Sequence, residues 1–449
     1  MKKQKTKYIC SNCGYESLRW LGKCPDCENW NSFTEEIIEN NKQKFSSTVT
    51  SVTAKKISEV SSEKEIRIKT GIAEFDRVLG GGLVLGSVVL IGGDPGIGKS
   101  TLVLQASSLL KTKVLYVSGE ESAQQIKMRA VRLKVKSDSL LLLPETNLQT
   151  IMSVIKNENP QVVIIDSIQT IYNDNLENSA GSVTQIRECT SLLLEDAKRF
   201  NYSVIVVGHV TKEGIIAGPK VLEHIVDTVI QFEGDTNHSY RILRAQKNRF
   251  GSTNEIGIFE MHETGLTEVK NPSELFLSER DKNIPGSVVT ASIEGSRPIL
   301  IEVQALVTPS NFGNPQRVTT GFDYRRLSIL LAVLEKRGNY RLSSANVFLN
   351  IAGGVKLIEP AVDLAVCCSA VSSLLNQVAD NNTVVIGEVG LGGEVRSVGF
   401  IDKRIHEAEK LGFRRIIIPQ NNMKGLKVTS SIEVIPVENI SEAIRLVLR

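Results

Sequence analysis

The stretch Gly93-Asp94-Pro95-Gly96-Ile97-Gly98-Lys99-Ser100, with Thr101 behind it, decides the fold of this 449-residue chain. It matches G-x-x-x-x-G-K-[ST] at every fixed position, the spacing of a phosphate-binding loop. Gly93, Gly96 and Gly98 let backbone N–H groups wrap phosphate oxygens with no Cβ in the way. Residues 88–91, Val-Val-Leu-Ile, predict a buried strand before the loop, and residues 102–110 predict a helix after it. The helix N-terminus adds its dipole to the anion site. In such a loop Lys99 is expected to reach the β and γ phosphates, and the Ser100 hydroxyl to ligate Mg2+. A chance glycine-rich turn would lack the flanking strand and helix.

Further short runs rich in β-branched residues surround the loop at 87–92, 114–118, 162–166 and 203–208, with Val183–Phe200 reading as a crossover helix. Such runs predict parallel strands buried on both faces, hence an α/β sheet domain over residues 70–270. The run Val162-Val-Ile-Ile ends in Asp166, placed to hold Mg2+ through its water shell. The run at 114–118 leads into Gly119-Glu120-Glu121. Hydrolysis needs a group that orients or deprotonates water, and Glu120 is the candidate base, with Glu121 its alternative. Both acids also suit the solvated start of a helix. Thr211-Lys212-Glu213-Gly214 lacks the Asp of a guanine-specificity motif, which favours ATP over GTP.

Four of the seven cysteines lie at the N-terminus as Cys10-Ser-Asn-Cys13 and Cys24-Pro-Asp-Cys27. Two C-x2-C knuckles in one short module supply four thiolates for tetrahedral Zn2+, with no open position for catalysis. A module of residues 1–35 has too little core to fold alone, so the metal supplies its folding energy. A redox dithiol pair is the rival reading. Cys189, Cys367 and Cys368 sit far away in helix-like segments, which excludes a disulfide framework and suits a reducing cytosol. Residues 36–69, rich in Ser, Thr, Lys and Glu, read as a linker.

With 41% hydrophobic and 23% charged residues, the chain has ample material for more than one core. The net charge of +3 is too small to mark a polyanion binder, so such a partner would need a local basic surface. No apolar run approaches the ~20 residues that span a bilayer. Residues 1–12 are basic but carry no apolar segment of a secretory signal, and a cytoplasmic location is expected. Residues 271–449 read as α+β. Strand-like runs at 288–307 are broken by Gly295 and Pro298, helices fall at 322–337 (capped by Asp323) and 360–375, and glycines 390–393 suggest a hairpin. A strand at 414–419 and a helix at 440–448 close the chain.

Thr70-Gly-Ile-Ala-Glu-Phe-Asp-Arg-Val-Leu-Gly-Gly-Gly-Leu83 resembles the lead-in to the phosphate loop of RecA-superfamily ATPases. With Lys247-Asn-Arg-Phe-Gly251 and the N-terminal cysteines added, the chain resembles, end to end, the bacterial RadA (Sms) family of DNA repair and recombination ATPases. That resemblance implies a RecA-like ATPase core, a homohexameric ring, and a helicase-like motor that drives branch migration. It also implies single-stranded and branched DNA and the RecA recombinase as partners. By position, His209 resembles the γ-phosphate sensor slot of RecA-like folds, though a core histidine is an equal alternative. Lys247 and Arg249, next to Arg244, are expected to act on a neighbour's ATP as an arginine finger does, or to contact DNA phosphate.

Pro360-Ala-Val-Asp-Leu-Ala365 and residues 387–395 resemble the proteolytic domain of Lon proteases. The Ser–Lys dyad of that chemistry is missing: Ala361 stands at the serine position and Asp402 at the lysine position, with Lys403 alongside. The domain over 271–449 is therefore read as non-proteolytic. Arg325, Arg326, Lys336 and Arg337, on or beside one helix, are expected to line a DNA channel. The competing reading is a regulatory ATPase that binds protein partners through the zinc module.

Overall fold

The computed structural model describes residues 5–10, 15–38, 66–208, 222–234, 240–253, 255–277, 280–281, 283–310, 314–426 and 431–448. Most of the stretch read as a linker (residues 39–65), together with Cys13 and His209, lies outside them. The chain divides into two compact units, Met1–Glu268 and Val269–Arg449.

In the first unit, β1 (Lys5–Cys10), β2 (Glu16–Ser17) and β3 (Phe33–Ile38) form a small antiparallel sheet. A short pair, β4 (Arg67–Ile68) and β5 (Leu83–Val84), flanks α1 (Ala73–Val78). The ATPase-like core follows as β6 (Val88–Gly93), α2 (Lys99–Leu109), β7 (Val114–Ser118), α3 (Ala123–Arg132), β8 (Leu140–Pro144), α4 (Leu148–Glu158), β9 (Val162–Asp166), α5 (Val183–Phe200) and β10 (Ser203–Val207). The strands β11 (Thr228–Glu233), β12 (Tyr240–Asn248), β13 (Ile256–His262) and β14 (Gly265–Glu268) complete it. Among the described residues these strands make one sheet in the order β14-β13-β12-β11-β6-β10-β9-β7-β8. The stretch from β11 to β8 is parallel and the other edge antiparallel.

The central strands are buried on both faces, as crossover helices on both sides require. Val89, Ile91, Val114 and Tyr116 face one core with Leu102 and Val103 of α2, while Leu90, Leu115 and Val117 face the other with Leu148 and Leu193. The period of two in each strand thus divides the hydrophobic residues between two layers. Helix ends are set locally. Ser122, Asn147, Ser182 and Asp323 accept N-terminal N–H groups, and Asn159, Asn201, Asn339 and Asn376 turn left-handed at C-termini.

The second unit comprises α6 (Pro272–Leu277), β15 (Ser287–Glu294), β16 (Arg297–Pro309), β17 (Arg317–Thr320), α7 (Tyr324–Gly338), β18 (Ala345–Ile351), α8 (Asp363–Leu375) and β19 (Thr383–Val385). The hairpin β20 (Glu388–Val389) and β21 (Val395–Arg396), then α9 (Ile401–Lys410), β22 (Arg415–Pro419), β23 (Glu433–Val437) and α10 (Ile440–Val447), follow. Its main sheet runs β17-β18-β16-β15-β19-β22-β23. Pro298 does not break a strand: it opposes Ile293 at the start of β16, where a lost ladder donor is tolerated.

The basic helix differs from its sequence reading. Arg325, Lys336 and Arg337 are exposed, but Arg326 turns inward and its guanidinium grips the buried Asp363 carboxylate through Nε (2.8 Å) and Nη2. Val389 N–H donates to the same carboxylate at 3.2 Å. Burial pushes the Asp363 carboxyl upward and the arginine opposes that shift, so Arg326 is spent on the fold rather than offered to DNA. Ala361 is only 1% exposed, Asp402 is exposed on α9, and Lys403 Nζ donates to Ser296 O at 3.0 Å, so no nucleophile–base pair forms there. Removing one partner of a buried pair strands the other charge. Arg326→Ala should therefore lose roughly 2–3 kcal/mol in urea unfolding, while Arg325→Ala stays within about 0.5 kcal/mol. Equal losses in the two variants would contradict this division.

Candidate nucleotide site and zinc centre

The carboxyl ends of β6, β7 and β9 meet at one cavity of about 260 Å³ lined by Lys99, Ser100, Glu120, Asp166, Arg129 and Arg132 among others. Gly93 must be glycine: a Cβ there would lie 2.6 Å from the Phe232 carbonyl oxygen of β11. Gly98 sits at the N-cap of α2 in the left-handed region, so the backbone turns sharply and the helix starts at Lys99. Lys99 is 3% exposed, and its Nζ donates to the carbonyls of Gly93 (2.8 Å) and Asp94 (2.9 Å) of its own loop. Burial lowers its pKa to about 8 against the pull of Asp166, Asp94 and Glu120. Ile97 is buried beneath the loop, while Asp94, Pro95 and Gly96 are exposed on it, and Thr101 lines the cavity beside Ser100.

Asp166 ends β9 level with Ser118 of β7. Its carboxylate and the Ser100 hydroxyl are both hard oxygen donors on the cavity wall, the donor chemistry that suits Mg2+. Beyond the end of β7, the two adjacent glutamates diverge. Ser167 Oγ donates to Glu120 Oε1 at 2.5 Å, which seats Glu120 next to Asp166. Glu121 lines the same cavity but pairs with Arg129 of α3. A local loop enforces the split: Ser118 Oγ donates to Glu121 O (2.9 Å) and accepts from Glu121 N (3.1 Å), and Ser122 then caps α3. Sequence reasoning missed Ser167, Arg129 and Tyr116, whose hydroxyl donates to Asp166 Oδ2. The signal for Tyr116 was a lone polar atom inside a run otherwise fit for a buried strand.

Lys247 and Arg249 are both tied to the segment before β11, although Arg249 lies just past β12 and is exposed. Lys247 lies within β12, and its ammonium donates to the carbonyls of Glu223 (2.6 Å) and Val226 (2.8 Å). Burial, and then the neighbouring Arg249, lower its pKa. Arg249 Nη1 donates to the buried carboxylate of Asp227 at 3.1 Å. Along the register, Lys247 opposes Val229, which opposes Leu90, whereas the phosphate loop begins at Gly93. Three residues of strand place Lys247 roughly 10 Å back from the loop along the strand direction.

In the N-terminal module the Sγ atoms of Cys10, Cys24 and Cys27 all lie within 4.8 Å of one another, with Cys10 and Cys27 at 3.6 Å. Two tight turns create this cluster: Cys10 N donates to Tyr15 O (2.9 Å), and Cys24 N to Asn29 O (2.9 Å). The predicted fourth ligand, Cys13, is outside the described residues. Soft thiols at this spacing fit Zn2+. By contrast, Cys189 and Cys368 are buried in helices, and burial pushes each thiol up to about 12. Neither is a metal ligand.

Three family descriptions match segments of the chain: a rubredoxin metal binding domain over 8–35, an AAA domain over 54–214, and a Lon protease (S16) C-terminal proteolytic domain over 340–449. Full-length relatives are the DNA repair protein RadA of Bacillus subtilis, 54% identical over 99% of both chains, and that of Halalkalibacterium halodurans, 53% identical over 100% of both. RadA of Streptococcus pyogenes is 50% identical over 100% of both chains. A crystal structure of the RadB recombinase aligns to 45% of this chain and 100% of its own, at 23% identity and a TM-score of 0.37. By the family matches and the full-length relatives, the fold is a RecA-like P-loop ATPase core with a zinc ribbon and a Lon-type C-terminal domain. Its cofactors are ATP with Mg2+ and Zn2+. Among the described residues, no helix is long and apolar enough to cross a membrane.

Both tryptophans, Trp20 and Trp30, lie inside the zinc module, so their fluorescence isolates its state. Zinc removal by a strong chelator should shift that emission while leaving nucleotide binding intact. An unchanged spectrum on complete metal loss would show that the module folds without it.

Proposed function

We propose, from the premise that this chain belongs to the family of the DNA repair protein RadA, that it is a DNA-coupled ATPase whose hydrolysis drives branch migration in recombinational repair. One observation carries the reading: Lys99, Ser100, Glu120 and Asp166 converge on a single cavity at the carboxyl ends of a parallel sheet. The loop from Gly93 to Thr101 cradles the phosphates. Lys99 exchanges its two loop carbonyls for β- and γ-phosphate oxygens, which restores an ionic partner to a buried ammonium. Ser100 and Asp166 hold Mg2+, which supplies charge neutralisation for the phosphoryl oxygens. Glu120, held by Ser167, orients and deprotonates the attacking water. Glu121, on the same cavity but paired with Arg129, is the alternative base.

Lys247 and Arg249 lie too far back along the sheet to serve the nucleotide of their own chain. Their assigned task is the neighbour's ATP in a homohexameric ring, where a guanidinium balances charge in the transition state. His209 is assigned the γ-phosphate sensor position. The protein partners with single-stranded and branched DNA and with the RecA recombinase, in the cytoplasm. Grip on DNA comes from backbone electrostatics, with Arg325, Lys336 and Arg337 as the exposed cations of α7.

A second reading has its own observation. The zinc module exposes Trp20 (53%), Trp30 (72%) and Leu18 (80%), an apolar face suited to a protein partner. A regulatory ATPase using that module as adaptor would hydrolyse ATP without regard to DNA.

ATP hydrolysis with and without single-stranded DNA separates the two. The motor reading expects stimulation by DNA and complete loss in Lys99→Ala; indifference to DNA would move the assignment to the regulatory ATPase. Glu120→Gln should cut turnover about 100-fold or more with ATP binding retained, and Glu121→Gln far less. For the action in trans, mixing Arg249→Ala with Lys99→Ala subunits should recover hydrolysis at hybrid interfaces. If no mixture exceeds the sum of its parts, Arg249 does not act across a boundary.

A further inference from the structure

Tyr116 occupies the middle of β7, 1% exposed, on the face packed against Leu102 and Val103 of α2. Its backbone opposes Ile164 of β9, two residues short of Asp166. Two strand residues span about 6.6 Å, close to the reach of a tyrosine side chain from Cα to hydroxyl. The ring therefore lies along the strand direction and delivers its hydroxyl to Asp166 Oδ2. Serine and threonine are too short for that reach, and phenylalanine fills the core equally well without the donor. A hydroxyl in so apolar a place is costly unless it is hydrogen-bonded, so packing alone does not explain a tyrosine here.

We propose that Tyr116 is a positioning residue for magnesium, fixing the Asp166 carboxylate so that one oxygen is held and the other is presented to the metal site. The terminal torsion of an aspartate is broad and nearly two-fold, so an untethered carboxylate samples many orientations. Tyr116 occupies Oδ2 and narrows that freedom. Arg129 and Glu121 also act on the phenol from the cavity wall, and Lys99 feels the Asp166 charge. The arrangement separates two tasks: Tyr116 holds the metal-directed carboxylate, and Ser167 holds the water-directed one at Glu120. This inference rests on the assignment of Asp166 to Mg2+.

The test is titration of free Mg2+ against binding of a fluorescent ADP analogue, with Mn2+ binding by electron paramagnetic resonance alongside. In wild type, nucleotide affinity must rise with Mg2+; if it does not, the assignment of Asp166 and Ser100 to the metal fails before Tyr116 is considered. Tyr116→Phe should raise the Mg2+ needed for half-maximal binding about tenfold, the usual cost of losing an outer-shell partner, with metal-free ADP affinity and thermal midpoint unchanged. Tyr116→Leu should show the same metal shift plus a lower midpoint. A wild-type Mg2+ dependence in Tyr116→Phe overturns the proposal, as does a metal shift confined to Tyr116→Leu, which would assign the residue to packing. A parallel fall in metal-free affinity overturns it as well.

Discussion

The nucleotide face depends on the in-register stacking of parallel strand ends. Val207 of β10 opposes both Ile91 and Asp166, Asp166 opposes Ser118, and Phe232 opposes Gly93. One row of backbone hydrogen bonds thus sets the heights of the phosphate loop, the Asp166 carboxylate and the turn that carries Glu120. A shift of one residue in any of these pairings would turn the reactive side chain to the opposite face of the sheet. Such a row is rigid because its strands are buried on both sides, and the apolar residues that bury it contribute to the chemistry only through this alignment.

Within that frame, polar side chains settle what the backbone leaves open. Glu120 and Glu121 are neighbours with the same chemistry, and their partners differ: Ser167 holds one and Arg129 the other. Lys247 and Arg249 are similarly specified by the carbonyls of Glu223 and Val226 and the carboxylate of Asp227, which tie the end of β12 to the segment before β11. Arg326 shows the converse case, a surface-looking cation committed to a buried acid. In each instance a charge is assigned by its partner, not by its place along the chain.

Much of this was legible in the sequence for physical reasons. The four inner strands announced themselves because parallel strands buried on both faces need unbroken β-branched runs, and the phosphate loop because its geometry demands glycines at fixed spacing. The strands β11 to β14 were largely missed: they mix polar and apolar residues, and β12 carries Arg241, Arg244 and Lys247. Helices α3 and α4 have short amphipathic faces whose period is easily lost beside the stronger strand signals. The site residues that sequence alone can nominate are those whose spacing is local, such as Lys99, Ser100 and the cysteines. Tyr116, Ser167 and the Arg326–Asp363 pair escaped because their partners lie far along the chain, and no periodicity encodes such a meeting.

The burial of Ala361 has a steric consequence. A serine restored at that position would be sealed among Val289, Leu300 and Ile386, out of reach of any peptide. A nucleophile there would need the core reopened around it, so packing as well as residue identity stands against peptide hydrolysis at this position.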